Sequence, residues 1–376
     1  MGTSTSICLV YRSTLVRLAL TVFLLAATAV QARDWVDFTV AGCKVLATDE
    51  PLENFPVAVR ISTARIKGFR YSDIASTNDL LFSSLESKVP YPYEVETWNP
   101  AGESVVWVRL PSLRTNTQFR MSFNLPPNRP KNPDATNVWS AAAYRGVWHM
   151  ADDFDLSAGQ SDSSGNGFTA SYVSGLTKSG IGAMSAIGKA FYRTLDKNTV
   201  GECLNTPNLT STMKMNWNGA TLSGWAYYKG YAATGQQHLL WINTSSSGSY
   251  YWGLTTQSKT VRSKFGTNSG TTIGTGLNPA SGWFHWAVRV TNKTTYEYFL
   301  NGVLLQTLTK DAKYSTYSTT SEWTCGGTTG YLDEFRYRNA SSSEAWILAE
   351  YDSIKNANFV VAGPVNRSGK LIIMVQ

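Results

Sequence analysis

The sequence predicts an all-β protein: two β-sandwich domains, with one short helix near the C-terminal end. Three observations carry that expectation. Short runs of β-branched and aromatic residues recur along the chain, as half-buried strands require. Clusters of Gly, Asn, Ser and Pro separate them and mark turns. Only one stretch, after Ser341, has apolar residues at helical spacing. The length, 376 residues, suits two domains of about 100–200 residues each.

Residues 1–32 are set apart first. Arg12 and Arg17 form a basic start, and "LALTVFLLAATAV" (Leu18–Val30) is an apolar run too short to span a bilayer comfortably. Val30-Gln31-Ala32 supplies a small residue at a cleavage position, so a secretory signal cut after Ala32 is expected. The protein is then expected to be exported (periplasmic, cell-surface or secreted), with no membrane span after cleavage. Removing two Arg and no acids leaves 33 − 2 = 31 basic against 26 acidic residues, a net +5. The basic residues are scattered, which argues against nucleic acid as a partner. Cys8 falls in the signal. Cys43, Cys203 and Cys325 remain, an odd number that leaves at least one unpaired. A Cys203–Cys325 bridge needs their strands to meet; otherwise all three are small buried apolar groups. No CxxC or Cys/His cluster exists, which argues against a zinc site.

The first domain is expected over residues 33–125. "NFPVAVRI" (Asn54–Ile61) and "ESVVWVRL" (Glu103–Leu110) are strand-like, the second after the turn "NPAG" (Asn99–Gly102). "LPPNRPKNPDATN" (Leu125–Asn137) is too rich in Pro for regular structure, so residues 126–143 are expected to be a linker. Protease should cut there first and release fragments near residues 33–130 and 140–376. The second domain is expected over 144–362, followed by a tail over 363–376. Its strands are "TLSGWAYY" (Thr221–Tyr228), "QHLLWIN" (Gln237–Asn243), "SYYWGLTT" (Ser249–Thr256), "WFHWAVRV" (Trp283–Val290) and "YEYFLNGVLLQTL" (Tyr296–Leu308). Asn301-Gly302 within the last one predicts a tight hairpin, because a type I′ turn needs positive φ at both positions. The helix is expected to start at Ser341, with Glu344 completing a capping box. Ile347, Tyr351 and Ile354 would then pack it as a lid over one end of the sheets.

The motifs together carry a resemblance. Trp35, "NFPVAVRI", "NDLLFSS" (Asn78–Ser84), "VPYPYEVETWNPAG" (Val89–Gly102) and "VVWVRLPSL" (Val105–Leu113) make the first segment similar to the bacterial family called domain of unknown function 2341. The usual "GN" ending of that family is replaced here by "NLPPN" (Asn124–Asn128). The second segment resembles the concanavalin A-like, laminin-G type jelly roll. That likeness rests on "GVWHMADD" (Gly146–Asp153), "DSSGNGFTA" (Asp162–Ala170), "GKAF" (Gly188–Phe191), "TLSGWAYY", "GWFHWAV" (Gly282–Val288), "YFLNGVLL" (Tyr298–Leu305) and "GYLDEFRYRNASSSEAWILAEY" (Gly330–Tyr351). The two modules often stand in tandem in exported bacterial proteins. The resemblance implies two antiparallel sheets, with ligand and calcium sites common at one rim. It assigns Trp225 and Trp283 to the core and favours a structural, hydrogen-bonded His149.

Candidate site residues follow. "DSSGNG" offers the oxygens of Asp162 and Asn166 on a Gly-containing loop, which either cap their own backbone or hold calcium. The resemblance brings Asp333 near that loop as a third ligand. Asp333 and Glu334 are adjacent, so a regular strand sends them to opposite faces. One would face the rim, and the other would need a buried partner such as Arg336 or Arg338, or else lie exposed. Retaining glycosidases on the jelly-roll fold space their acids E-x-D-x-x-E on one face, and this chain has no such run. No GxSxG elbow exists either. Trp241, Trp252, Trp286 and Trp323 are candidates for stacking on sugar rings, or else core. The expected function is a non-catalytic exported binding or surface module for a glycan or cell-envelope partner. The alternatives are a carbohydrate-active hydrolase or lyase and a structural part of an envelope transport assembly. The last follows from partners that the first-module family sometimes keeps.

Overall fold

The structure, a computed structural model, describes residues 34–367 except 47, 87–88, 126–132, 154, 156, 173–178, 182–183, 194–203, 208–211, 231–236, 244–250, 258–259, 267–271, 278–281, 293–294, 310–322 and 326–328. Only backbone is described at 179–181, 193, 228–230, 237–243, 251–257, 260–266, 272–277, 323–325 and 329. The expected signal and Cys203 lie outside the described residues.

The chain is mostly strand, as expected. The first sandwich holds β1 (Asp34–Val40), β2 (Leu52–Ile61), β3 (Leu81–Ser83), β4 (Pro90–Tyr91), β5 (Tyr93–Thr97), β6 (Ser104–Leu113) and β7 (Gln118–Phe123). Helix α1 (Ala135–Ser140) and β8 (Tyr144–Trp148) lead into the second. There the short strands β9 (Ser171–Tyr172), β10 (Ser179–Ile181), β11 (Phe191–Arg193) and β12 (Leu204–Asn205) come first. Longer strands follow: β13 (Ala220–Gly230), β14 (Gln237–Asn243), β15 (Tyr251–Gln257), β16 (Thr260–Gly266), β17 (Thr272–Leu277), β18 (Trp283–Asn292), β19 (Thr295–Leu300) and β20 (Val303–Thr309). The chain closes with β21 (Trp323–Cys325), β22 (Thr329–Arg338), α2 (Glu344–Lys355) and β23 (Val360–Ala362).

Strand β1 alternates buried and half-buried residues, the pattern of a strand with one face inward. It belongs to the sheet β23-β1-β7-β3-β4. Strands β2 and β6 are buried almost continuously, as strands covered on both faces are. They lie in the sheet β2-β6-β5. The helices supply part of the cover: Trp139 packs on Trp107 at 5.4 Å and Trp346 on Phe55 at 4.8 Å. In the second sandwich one sheet runs β10-β11-β22-β13-β18-β19-β20, with β8 beside β22. The other runs β17-β16-β15-β14-β21-β12-β9. The predicted hairpin is present between β19 and β20, with Asn301 at φ 49° and Gly302 at φ 79°.

Three expectations differ from the structure. Residues 126–143 are not wholly irregular: Asp134 accepts from the Asn137 amide at 3.0 Å and caps α1, whose Val138 and Trp139 are fully buried. Helix α2 is capped by Ser343, not Ser341; Ser343 accepts from the Trp346 amide at 3.1 Å. The cause lies one residue earlier. Arg289 donates to the Ser342 carbonyl at 2.7 Å, and the Ser342 amide donates to Thr221 at 2.9 Å. Those bonds anchor Ser342 before the helix begins. Third, the end of the chain is no free tail as far as it is described. Strand β23 pairs with β1, Trp35 and Asn366 exchange backbone bonds of 3.0 and 2.8 Å, and Arg367 reaches Asp34 and Asp73 at 2.8 Å each. The chain therefore returns to the first sandwich after leaving the second, since β1 has an open edge there to be paired.

The two sandwiches share a core. One buried cluster contains Val59 and Trp107 of the first, Trp139 and Tyr144 of the connection, and Ile187, Trp225 and Trp346 beyond it. A second cluster, with Trp148, Trp286, Val288, Tyr298 and Phe335, lies within the second sandwich.

Candidate functional site

Strand β22 carries the acidic pair, and its pairing with β13 is broken beside it. Trp225 faces Asp333 and Ser223 faces Arg336, so Glu334 and Phe335 together oppose Gly224. This is a β-bulge, and Glu334 sits in it with a left-handed φ of 52°. Such a conformation at a residue with a side chain costs about 1–3 kcal/mol. The bulge also resets the strand alternation. Both acids are buried, Asp333 at 0% and Glu334 at 1% exposure. The expectation of one rim-facing acid assumed a regular strand and is corrected here.

Glu334 looks into the junction between the sandwiches. Its Oε1 accepts from His149 Nδ1 at 2.6 Å, and its Oε2 accepts from Arg336 Nε and Nη2 at 3.1 and 2.5 Å. His149 follows β8, and its Nε2 lies 3.3 Å from Oε2 of Glu94 on β5. Glu96, two residues further along β5, lies 3.9 Å from His149 Nδ1 and accepts from Trp107 Nε1 at 2.8 Å. Trp139 Nε1 donates to Glu94 at 2.5 Å. The Arg336 guanidinium is held between the rings of Trp107 and Trp139, 4.4 and 4.9 Å from their centroids. Behind it, Tyr144 donates to Glu350 of α2 at 2.5 Å. The expected pairing of one acid with Arg336 is present, and His149 is buried and hydrogen-bonded.

Electrostatics follow from this packing. Burial alone would lower the His149 pKa, but Glu334 and Glu94 outweigh it and hold the group well above its usual value. Burial alone would raise Glu334, yet the charges of His149 and Arg336 keep it below the ordinary carboxylate value. Glu96 is different: burial, with the like charge of Glu334 added, pushes it up to about 7. Asp333 is raised by burial and by Glu334, against the amides of Ala186 and Ile187, which donate to its Oδ2 at 2.8 and 3.1 Å. Two carboxylate oxygens, Glu96 Oε1 and Asp333 Oδ1, are buried with no hydrogen-bond partner among the described residues. Donor atoms of Glu96, His149 and Glu334 lie within 4.8 Å of one another, the one such His/Cys/Asp/Glu group found among the described residues.

The sequence candidates fall elsewhere. Asp162 accepts from the amides of Val147, Ser164 and Phe168 at 2.9, 2.9 and 3.0 Å and from the Ser164 hydroxyl at 2.8 Å. Asn166 is exposed and donates to the Arg145 carbonyl at 3.2 Å. Those contacts are loop closure by side chains. Asp333 is held by the 186–187 amides and not by this loop. Trp286 is fully buried, 5.5 Å from Phe335, which leaves no ring face for a ligand. For Trp241, Trp252 and Trp323 only backbone is described: Trp252 on β15 and Trp323 on β21 both register with Ile242 of β14. Sequence reading missed Glu94 and Glu96, since "EVET" looks like any solvated strand until the second sandwich covers it.

No protein-family model and no curated protein matches the chain. Among solved structures it is similar to the binding domain of Paraclostridial Mosquitocidal Protein 1, at 13% identity over 57% of this chain and 53% of that one, TM-score 0.41. It is similar also to botulinum neurotoxin type C, whose cell entry depends on two ganglioside molecules, at 12% identity over 56% and 51%, TM-score 0.42. A third is Trypanosoma rangeli sialidase, at 13% identity over 72% and 44%, TM-score 0.44. The match spans about half the length of the first two chains. Likenesses this partial assign no ligand and no activity.

Proposed function

We propose that the chain is an exported, non-catalytic binding module that takes a glycan or a cell-envelope partner on its second sandwich. The supporting observation is the sealing of the acidic cluster. A glycosidase needs two carboxyl groups that flank its substrate. Here Asp333, Glu334 and Glu96 have side chains at most 1% exposed, and Glu334 is engaged by His149 and Arg336. These acids serve the frame. Ligand contact then falls elsewhere, and the backbone register that lines up Trp252, Ile242 and Trp323 across three strands is the place to test, because indole faces stack on sugar rings. A glycan array with the purified chain should show retention that Trp252→Ala with Trp323→Ala reduces at least tenfold, with an unchanged melting temperature. Release of reducing ends from any arrayed polysaccharide, abolished by Glu334→Gln in a folded protein, would establish an enzyme instead.

A further inference from the structure

We propose that Glu96, His149 and Glu334 form a site for one zinc-class divalent transition ion that joins the two sandwiches. The donor set is one imidazole nitrogen and two carboxylates, which suits zinc and its neighbours better than calcium, an ion that takes six to eight oxygens. The residues come from three places: Glu96 from β5, His149 from the end of β8, and Glu334 from the bulge of β22. The sequence holds them far apart and in no metal-binding spacing, which is why the absence of a Cys/His cluster argued against zinc.

The spacing is suitable. Zinc sits about 2.0–2.2 Å from nitrogen and oxygen donors, so tetrahedral donors lie roughly 3.4 Å from one another. The observed separations run from 2.6 Å for His149 Nδ1 to Glu334 Oε1, through 3.9 Å for His149 Nδ1 to Glu96 Oε2, to a limit of 4.8 Å for the group. Ligation requires the His149–Glu334 pair to open, and the wider pairs to close, by roughly an ångström.

Each ligand is oriented by a second contact, as metal ligands are. Nε2 of His149 faces Glu94 Oε2, which leaves Nδ1 for the ion. Arg336 holds Glu334 through Oε2, so Oε1, which accepts from His149 Nδ1 at 2.6 Å, is the oxygen that turns to the ion when metal replaces that hydrogen bond. Trp107 holds Glu96.

An independent observation favours a cation at this place. Glu96 Oε1 has no hydrogen-bond partner among the described residues, although its side chain is 1% exposed. Buried carboxylate oxygens are normally paired, because desolvation is costly without a partner. The same holds for Asp333 Oδ1 beside it. Around His149 and Arg336 stand the carboxylates of Glu94, Glu96, Glu334 and Glu350. Gly188 makes room for the Glu96 carboxylate, since a Cβ there would collide with Glu96 Oε1. The site is sealed from solvent, so the ion is structural and loads as the sandwiches dock.

The test uses the full chain, unfolded with chelator and refolded with or without zinc chloride, followed by metal analysis and melting. The expected result is one zinc per chain and a melting temperature at least 5 °C higher with zinc. A cobalt-refolded sample should show visible absorption bands of low-coordinate nitrogen and oxygen ligation. Glu96→Gln keeps the shape and an acceptor for Trp107, so it should fold, hold at least tenfold less zinc and lose the shift. His149→Gln should do the same. The proposal is overturned if the folded wild type retains no zinc, if calcium gives the larger shift, or if both variants retain zinc as the wild type does.

Discussion

Arg336 shows what a single residue does in this protein. Its guanidinium lies between two indole rings and meets Glu334 through two nitrogens, all of it buried. Removing one partner of a buried ion pair strands the other, at a cost of about 3–5 kcal/mol. Arg336→Met is therefore expected to lower the urea midpoint sharply, while Arg336→Met combined with Glu334→Gln recovers part of the loss. A double variant as unstable as the single one would show that the loss is packing alone. His285 makes the opposite case. Burial, with the charge of Arg336 added, pushes it down to about 3, and its Nδ1 is buried without a partner among the described residues. It packs against Trp225 and Tyr351. The unfolded chain, with a histidine pKa near 6.5, binds a proton that the folded chain refuses. Its contribution is complete above about pH 6.5 and is lost as pH falls from there toward 3. Between pH 7 and pH 5 the loss is about 2 kcal/mol. Urea melts of His285→Phe should lack that part of the wild-type pH dependence; an identical pH profile would show that His285 titrates normally.

At the scale of elements, α2 is set by its neighbours as much as by its own sequence. Ser341 and Glu344 satisfy the spacing of a capping box, but the cap forms at Ser343 because Arg289 and Thr221 anchor Ser342. Losing a serine N-cap costs about 1 kcal/mol. Ser343→Ala should show that loss in equilibrium unfolding, and Ser341→Ala should be close to neutral. The reverse order would restore the capping box. The helix then wedges between the sandwiches. Trp346 packs on Phe55, Tyr351 stacks on Trp225 at 5.5 Å, and Ile347 joins Ala287 and Phe299. It is less a lid on one end of a sheet than a shared wall.

The whole molecule is expected to behave as one unit by the same logic. The described core runs from the first sandwich through Trp139 and Tyr144 to Trp225 and Trp346, and β23 returns to β1. Cleavage in the Pro-rich segment, at residues 126–132, cuts the chain without opening that core. The nicked protein is expected to elute from a sizing column at the volume of the intact chain and to melt in one transition. Separation of fragments near residues 33–130 and 140–376 without denaturant would show two independent domains.

The sequence by itself determined the strands and the turns. Runs such as "NFPVAVRI" and "QHLLWIN" lie within or on strands β2 and β14, and Asn301-Gly302 makes its hairpin, because β-branching and left-handed φ preferences act locally. It determined also that whichever of Asp333 and Glu334 is buried needs a partner such as Arg336, since an unpaired buried charge is too costly. Only the tertiary structure decided which one. The bulge at Glu334 is set by pairing with β13 across more than a hundred residues of sequence, and alternation along one strand cannot reveal it. Likewise nothing local distinguishes Glu94 and Glu96 from solvated strand acids. They become junction residues when a second sandwich, folded from distant sequence, buries them against His149 and Glu334. Long-range burial changes the electrostatics of a side chain without changing any residue near it in sequence.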